Sequence, residues 1–228
     1  MNARRKKTPP FPIGDVTHEQ HRKLFFYMFN RIANHDSSIR VELDDKDMSY
    51  AKDFAKRIVK EKMKEKVHQF DGNNEIPRWV VGVLGEVALG KYLGVKIHDD
   101  SIGDTKEFTV PDLFDPLGLM CGVKTFRIGN FPLTNRIRKK NGFSTQSYPQ
   151  IFISIDIYNQ CAFIHGLASV VTLLKNEADL TNNRFVKDKT ALKRKTAFTH
   201  LSALEPFADL SSLKELVNGR THTHKMVN

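Results

Sequence analysis

Three short stretches carry groups that could do hydrolytic chemistry: Glu86, the pair Pro111-Asp112, and Gly122-Val123-Lys124. Two carboxylates and an amine are what phosphodiester cleavage asks for. A hard cation such as Mg2+ is held by one or two carboxylates together with water and substrate phosphate. The cation stabilises charge on the phosphate and lowers the pKa of a bound water. A lysine beside it orients or deprotonates that water, or stabilises the pentavalent charge. Partial burial and a neighbouring cation would depress the lysine's own pKa.

Each stretch also has an ordinary explanation. Pro-Asp opens many loops, a lysine on an edge strand blunts aggregation, and Glu86 could pair with Arg78 or Lys91 on a helix surface. Their placement on elements of the right type favours function. Residues 77–93 are apolar or small almost throughout, from Trp79, Val80 and Val83 to Leu84, Val87 and Leu89, which predicts a helix buried on most sides. Glu86 falls in its middle, where a lone carboxylate is costly unless something pairs with it. Strand-like spacing follows at 95–97, 107–110 and 119–126. Residues two apart on a strand share a face, so Gly122 and Lys124 point together and Cys121 points away. Asp112 should stand at the tip of the strand before them, and Glu86, Asp112 and Lys124 are expected to converge.

From Trp79 to Gly166 the chain resembles the PD-(D/E)XK nuclease superfamily, which has the restriction-endonuclease-like fold. The resemblance is carried by Gly85-Glu86-Val87-Ala88, Tyr92-Leu93-Gly94, Pro111-Asp112 and Gly122-Val123-Lys124-Thr125, followed by Gln150-Ile151-Phe152-Ile153-Ser154-Ile155. It implies an α/β (α+β) fold, with a mixed central sheet flanked by helices. It also implies Asp112 as principal metal ligand, Glu86 as a ligand directly or through water, and Lys124 as the residue that positions the attacking water. The cofactor would be Mg2+ or Mn2+ and the activity endonucleolytic, in a phage or bacterial setting. Double-strand cutting often calls for two active sites, so a homodimer is compatible with it.

One position departs from the family pattern. Gly122 stands where the second acidic residue belongs and has no side chain to ligate with. Three replacements are open: Glu86 takes over the ligation, Asp104 or Asp115 reaches in, or the backbone carbonyl of Val123 supplies an oxygen. Without a replacement, the chain would be a nucleic-acid-binding protein on the same fold with no catalysis.

The charge supports a polyanionic partner independently. Lys and Arg outnumber Asp and Glu by 36 to 26, a formal net charge of +10 over 228 residues. Each phosphate neutralised by a basic side chain releases counterions and adds affinity. DNA is favoured over RNA. Residues 127–140 hold Arg127, Arg136, Arg138, Lys139 and Lys140, directly after the strand that bears Lys124, and are the expected grip on phosphates; the basic stretch 187–195 is a second. A basic adaptor for acidic proteins is a further alternative. Lys52, Lys56, Lys60 and Lys64 also recur at steps of four, but Asp53, Glu61 and Glu65 among them favour a solvated helix face.

Other features bound the class. Cys121 and Cys161 lie in apolar runs and predict buried thiols rather than disulfides or a zinc site. Residues 1–10 lack the apolar core of a secretory signal, and no apolar run reaches the length of a membrane span, so a cytoplasmic, membrane-free protein is expected. His98 and the His222-Thr223-His224 group lack a complete ligand set at metal spacing. His165 with Ser169 or Cys121 lacks a nucleophile-elbow sequence. Asp156 is expected to be structural.

The expected organisation is a basic arm at 1–16, a helical extension at 17–74 with helices at 17–34 and 46–70, a nuclease-like core at 75–218, and a frayed tail at 219–228. Within the core the apolar runs 151–158 and 161–165 predict a hairpin around a two-residue Asn159-Gln160 turn. A short helix at 168–175, a loop at 181–195, a strand near 197–201 and a helix at 210–217 complete it.

Overall fold

Strand β1 (Ile39–Glu42) alternates half-buried Ile39 and Val41 with exposed Arg40 and Glu42. Helix α1 (Asp45–Lys62) starts at Asp44, whose carboxylate accepts from the backbone of Lys46 and Asp47, while the Asp47 carboxylate accepts from the Asp44 N–H. This reciprocal cap satisfies amides that the first turn would leave open. Met48, Ala51, Phe54, Ala55 and Ile58 form its buried stripe. Helix α2 (Glu75–Leu93) packs against α1 and ends at Gly94, whose φ of +68° lets the chain turn away. The structure, a computed structural model, describes residues 38–64, 75–98, 100, 102, 111–128, 133–135, 148–170, 172, 177–178, 196–198 and 204–224, with 133–135, 177–178, 196–198 and 220–224 described by backbone alone.

The remaining elements are α3 (Phe114–Leu117), β2 (Gly122–Arg127), β3 (Leu133–Asn135), β4 (Gln150–Asp156), β5 (Cys161–Ala168), β6 (Glu177–Ala178), β7 (Thr196–Phe198) and α4 (Leu210–His224). A mixed four-stranded sheet runs in the order β1-β5-β4-β2, and β3, β7 and β6 form a small antiparallel sheet. β4 pairs antiparallel with β5 and parallel with β2, Gly122 opposite Gln150 and Lys124 opposite Phe152. The protein is therefore a mixed α+β fold.

The two faces of the sheet are distinct. Cys121, Ile151, Ile153 and Ile155 join Leu84, Ala88, Phe54, Leu213 and Val217 in one core beneath the helices. Gly122, Lys124, Phe126, Gln150, Phe152 and Ser154 alternate with them and occupy the opposite face. There His165 bonds through its ring nitrogens with Ser154 (2.8 Å) and Ser38 (3.1 Å), and Phe126 stacks on it. Burial drives the His165 pKa down to about 4, so this imidazole is a neutral structural bridge.

Several sequence expectations need correction. The extension boundary at 74/75 is not a structural division, because β1 pairs with β5 and α1 shares the core of α2. Alternation over only four residues left β1 unpredicted. No strand forms at 95–97, where the Val95 N–H returns to the Gly90 carbonyl. The β4–β5 turn has four residues rather than two. Asp156 sets it by accepting from the backbone of Tyr158 and Asn159 and from the Asn159 amide, while Gln160 takes a φ of +47°. β5 extends through Ala168, so the helix expected from 168 begins only after Ser169, with Val170 and Thr172 helical, and α4 continues through Gly219 to His224 where a frayed tail was expected. The helix expected at 17–34, the strand at 107–110 and the loop at 181–195 lie outside the described residues.

Candidate active site

β2 leaves one side unpaired among the described residues, and Asp112 meets it there. The Gly122 N–H points inward to the Pro149 carbonyl of the β4 side. The amides of alternate residues must therefore face outward. The Val123 N–H donates to Asp112 Oδ2 at 2.5 Å, and the Leu113 N–H donates to the Cys121 carbonyl at 3.0 Å. A tight turn holds this arrangement: Leu119 and Leu117 both return to the Leu113 carbonyl, and Gly118 closes α3 with a φ of +67°. Asp112 thus stands where a neighbouring strand would be. The carbonyl of Val123 faces the same open side, as an oxygen donor at that edge would require.

Glu86 and Asp112 line one cleft of about 230 Å3 between α1 and α2, walled by Phe54, Ile58, Val83 and Trp79. Asp115 and the buried Lys62 also line it. Glu86 does not pair with its helix neighbours. Lys91 reaches Asp47 at 2.5 Å and Arg78 reaches the buried Glu75 at 2.5 Å. The partner of Glu86 is His98, whose Nδ1 lies 2.6 Å from Oε2. The His98 ring is held edge-on against Phe54 (4.5 Å) and Tyr50 (5.5 Å), which fixes the carboxylate it touches. His98 Nε2 is buried with no hydrogen-bond partner among the described residues.

Lys124 does not line this cleft. Thr125 faces α2 across Gly85, so Lys124 is directed to the other face of the sheet, and the expected single point of convergence is corrected accordingly. The strand alternation imposes this, since α2 packs on the odd positions of β2. Asp112 at the strand edge still couples the two sides, because its charge acts on Lys124 and Glu86 acts on it. Desolvation of the carboxyl where it meets the strand edge pushes the Asp112 pKa up to about 6. The Val123 N–H opposes that rise and the charge of Glu86 reinforces it. Burial holds the Lys124 ammonium below the usual lysine range, against the pull of Asp112 and with the help of Arg78. An acid shifted up beside an amine shifted down is the pattern of groups tuned for proton transfer near neutrality.

The sign of the Asp112 shift gives a stability prediction. Its pKa in the folded protein lies above the ordinary value of 3.8, so the stability linked to its protonated form is lost as pH rises through about 6. Asp112→Asn should therefore melt higher than the parent above about pH 7, and the difference should vanish below about pH 4. Melting curves across that range check it; a variant less stable at every pH contradicts it.

Of the other candidates, Arg127 is exposed at the end of β2, whereas Arg136, Arg138, Lys139, Lys140, Asp104 and the 187–195 stretch lie outside the described residues. The lysine ladder of α1 is a solvated face, with Lys56 bonded to Asp53 and Lys64 to Glu61. Both cysteines are free and buried. Among the described residues no helix is long and apolar enough to cross a membrane.

From the sequence His98 was readable only as part of an incomplete metal-ligand set and Arg78 only as a surface partner of Glu86, and Lys62 carried no signal as a lining residue. Arg78 stacks over Trp79 with its guanidinium 5.3 Å from the ring, at the start of α2. Only the cost of burying Glu86 alone signalled that a partner had to exist.

Among the described residues, no three His, Cys, Asp or Glu side chains form a metal-binding group. The oxygens that an ion could use there are those of two carboxylates lining one cleft, Asp112 and Glu86, and the Val123 carbonyl at the strand edge. That fits Mg2+, which takes few protein ligands and keeps several waters. It also fits the repulsion that Glu86 exerts on Asp112, which a cation would relieve. No family model, curated protein or solved structure matches the chain.

Proposed function

We propose that this protein is a Mg2+- or Mn2+-dependent endonuclease acting on DNA, on a restriction-endonuclease-like core. The observation that carries this reading is Asp112 docked on the open edge of β2, sharing a cleft with Glu86 and coupled in charge to Lys124. Asp112, Glu86 and the Val123 carbonyl would hold the ion, which would supply Lewis-acid stabilisation of the phosphate and an acidified water. Glu86 keeps its orientation through His98. Lys124, with its depressed pKa, lies across the strand edge from the cleft and would act beside Asp112, whose charge it feels, by neutralising charge that develops there or taking part in proton transfer at that edge. Arg78 adds positive charge near Lys124, and Arg127 continues it along the strand. The net charge of +10 favours a polyanionic substrate.

The test is incubation of the full chain with supercoiled plasmid at low salt, with Mg2+ and with chelator. Nicking that needs the ion supports the proposal. A second reading, a DNA-binding protein without catalysis, is favoured by Gly122, where the family's second carboxylate is missing. It predicts salt-sensitive retention on DNA with no nicking under either condition. Absence of retention as well would leave the adaptor for acidic proteins.

A further inference from the structure

Helix α2 contains Gly82, Gly85 and Gly90, and packing explains only the last two. A Cβ at Gly85 would collide with the Thr125 side chain, and one at Gly90 would lie 2.7 Å from the Val95 carbonyl oxygen. Both positions must therefore lack a side chain. At Gly82 a Cβ would meet nothing within 4 Å, and the backbone there is not left-handed. Alanine would be the better helix former, so neither the backbone nor a neighbour asks for glycine at 82. The room it leaves opens into the cleft of Glu86 and Asp112, which Gly82 lines.

Trp79 lies one turn before Gly82 and Glu86 one turn after it, and all three line the same space, with Phe54 and Ile58 of α1 among its apolar walls. Glu86, Asp112 and Asp115 outnumber Lys62 among the charged groups of the cleft, so a bare phosphate is disfavoured inside it. An uncharged planar base gains from such walls, and its amino and ring N–H groups can donate to the carboxylates. A cation for the phosphate stands beside Trp79. The Arg78 guanidinium lies 5.3 Å from the centre of the Trp79 ring, donates to Glu75 at 2.5 Å, and belongs to a side chain that is 52% exposed. Glu75 also accepts from Trp79 Nε1 at 2.8 Å, so one buried carboxylate positions both residues. The other nitrogens of Arg78 hydrogen-bond to nothing among the described residues, and its charge acts on Lys124, as that of Asp112 does.

We infer that the cleft takes up the base of one unpaired nucleotide over Gly82, beside Trp79, while Arg78 grips a phosphate of the same strand. The substrate class is DNA in which a nucleotide next to the scissile bond is unpaired or extruded. This rests on the nuclease reading of Asp112 and Glu86 and adds a substrate to it. A paired base is excluded, because a cleft of about 230 Å3 between two helices has no room for its partner and the second strand.

The experiment compares a fully paired DNA duplex with the same duplex carrying one extra, unpaired nucleotide. Binding to the full chain is read by fluorescence anisotropy with chelator present, and cleavage is read with Mg2+. The parent should bind the second substrate about tenfold more tightly, the scale of one stacked base, and cut beside the unpaired nucleotide. Gly82→Leu fills the open space without a collision at its Cβ, so it should melt no lower than the parent and bind the two substrates alike. Arg78→Met should weaken binding of both and lower the salt dependence by about one phosphate contact. Equal affinity of the parent for the two substrates, or a preference that survives Gly82→Leu, would overturn the base site, and Mg2+-dependent cleavage would still uphold the metal site. A preference that Gly82→Leu removes, without cleavage of either substrate, would uphold the base site and overturn the nuclease reading. Should Gly82→Leu fail to fold, the parent's preference alone decides.

Discussion

Asp112→Asn should reduce Mg2+-dependent plasmid nicking by about a thousandfold or more, because losing the main metal ligand forfeits several kcal/mol of charge stabilisation. The substitution is close to isosteric. The asparagine carbonyl can still accept from the Val123 N–H, so the edge of β2 keeps its shape while the charge goes. The same variant is expected to be more stable than the parent above about pH 7, as worked out from the raised carboxyl pKa. Lost cleavage therefore cannot be put down to unfolding. Retention on DNA at low salt should survive, since phosphate contacts come from basic side chains. Lys124→Met should also depress nicking, by about a hundredfold or more if the amine handles a proton. Undiminished cleavage by Asp112→Asn would remove the carboxylate from the chemistry altogether.

The second large effect concerns the approach of α2 to the sheet. Gly85→Ala should destabilise the protein by roughly 2 kcal/mol, although alanine is the better helix former. In a helix interior Ala gains about 1 kcal/mol over Gly. Against that, a Cβ at 85 would lie 2.0 Å from Thr125 Oγ1, 2.7 Å from Cγ2 and 2.9 Å from Cβ. Rotating Thr125 merely exchanges one clashing atom for another, and overpacking of this kind costs about 3 kcal/mol. The clash wins. Thr125→Ala removes the two nearest atoms, leaving Thr125 Cβ at 2.9 Å as the nearest of the three, so the double variant should recover most of the loss. Urea unfolding of the single and double variants measures this. Strict additivity of the two changes would show that Gly85 and Thr125 do not meet.

Gly85 has a functional consequence through its neighbour. Because α2 rests directly on β2, Glu86 is delivered to the cleft beside Asp112. A bulkier residue at 85 would lift the helix and with it the carboxylate. The Gly-Glu pair in the sequence is thus a packing requirement followed by a chemical one.

Much of this was readable from the chain alone where one interaction range dominates. The apolar stripe of α1 and the uniformly apolar α2 follow from periodicity, and the end of α2 at Gly94 follows from the ease with which glycine adopts a positive φ. Local order also carried Glu86, Asp112 and Lys124, because each sits on or beside an element whose type its neighbours declare. The division of the chain failed for the converse reason. β1 has four residues, too few for its alternation to stand out, and it is a strand because β5 offers it a partner more than 100 residues away in sequence.

Residue types and their order alone determined that carboxylates and an amine stand in a basic chain with an α+β pattern. Tertiary structure alone decided which of them meet. Glu86 pairs with His98 rather than Lys91 or Arg78, because those cations are already held by Asp47 and Glu75. Lys124 lies on the opposite face from Glu86, because α2 packs on the alternate residues of β2. Gln150 fills the place of a side chain at Gly122, because a parallel register sets two distant positions side by side. Periodicity reports which way a side chain points relative to its own element; what it points at depends on contacts between elements far apart in the chain, and no local pattern encodes those.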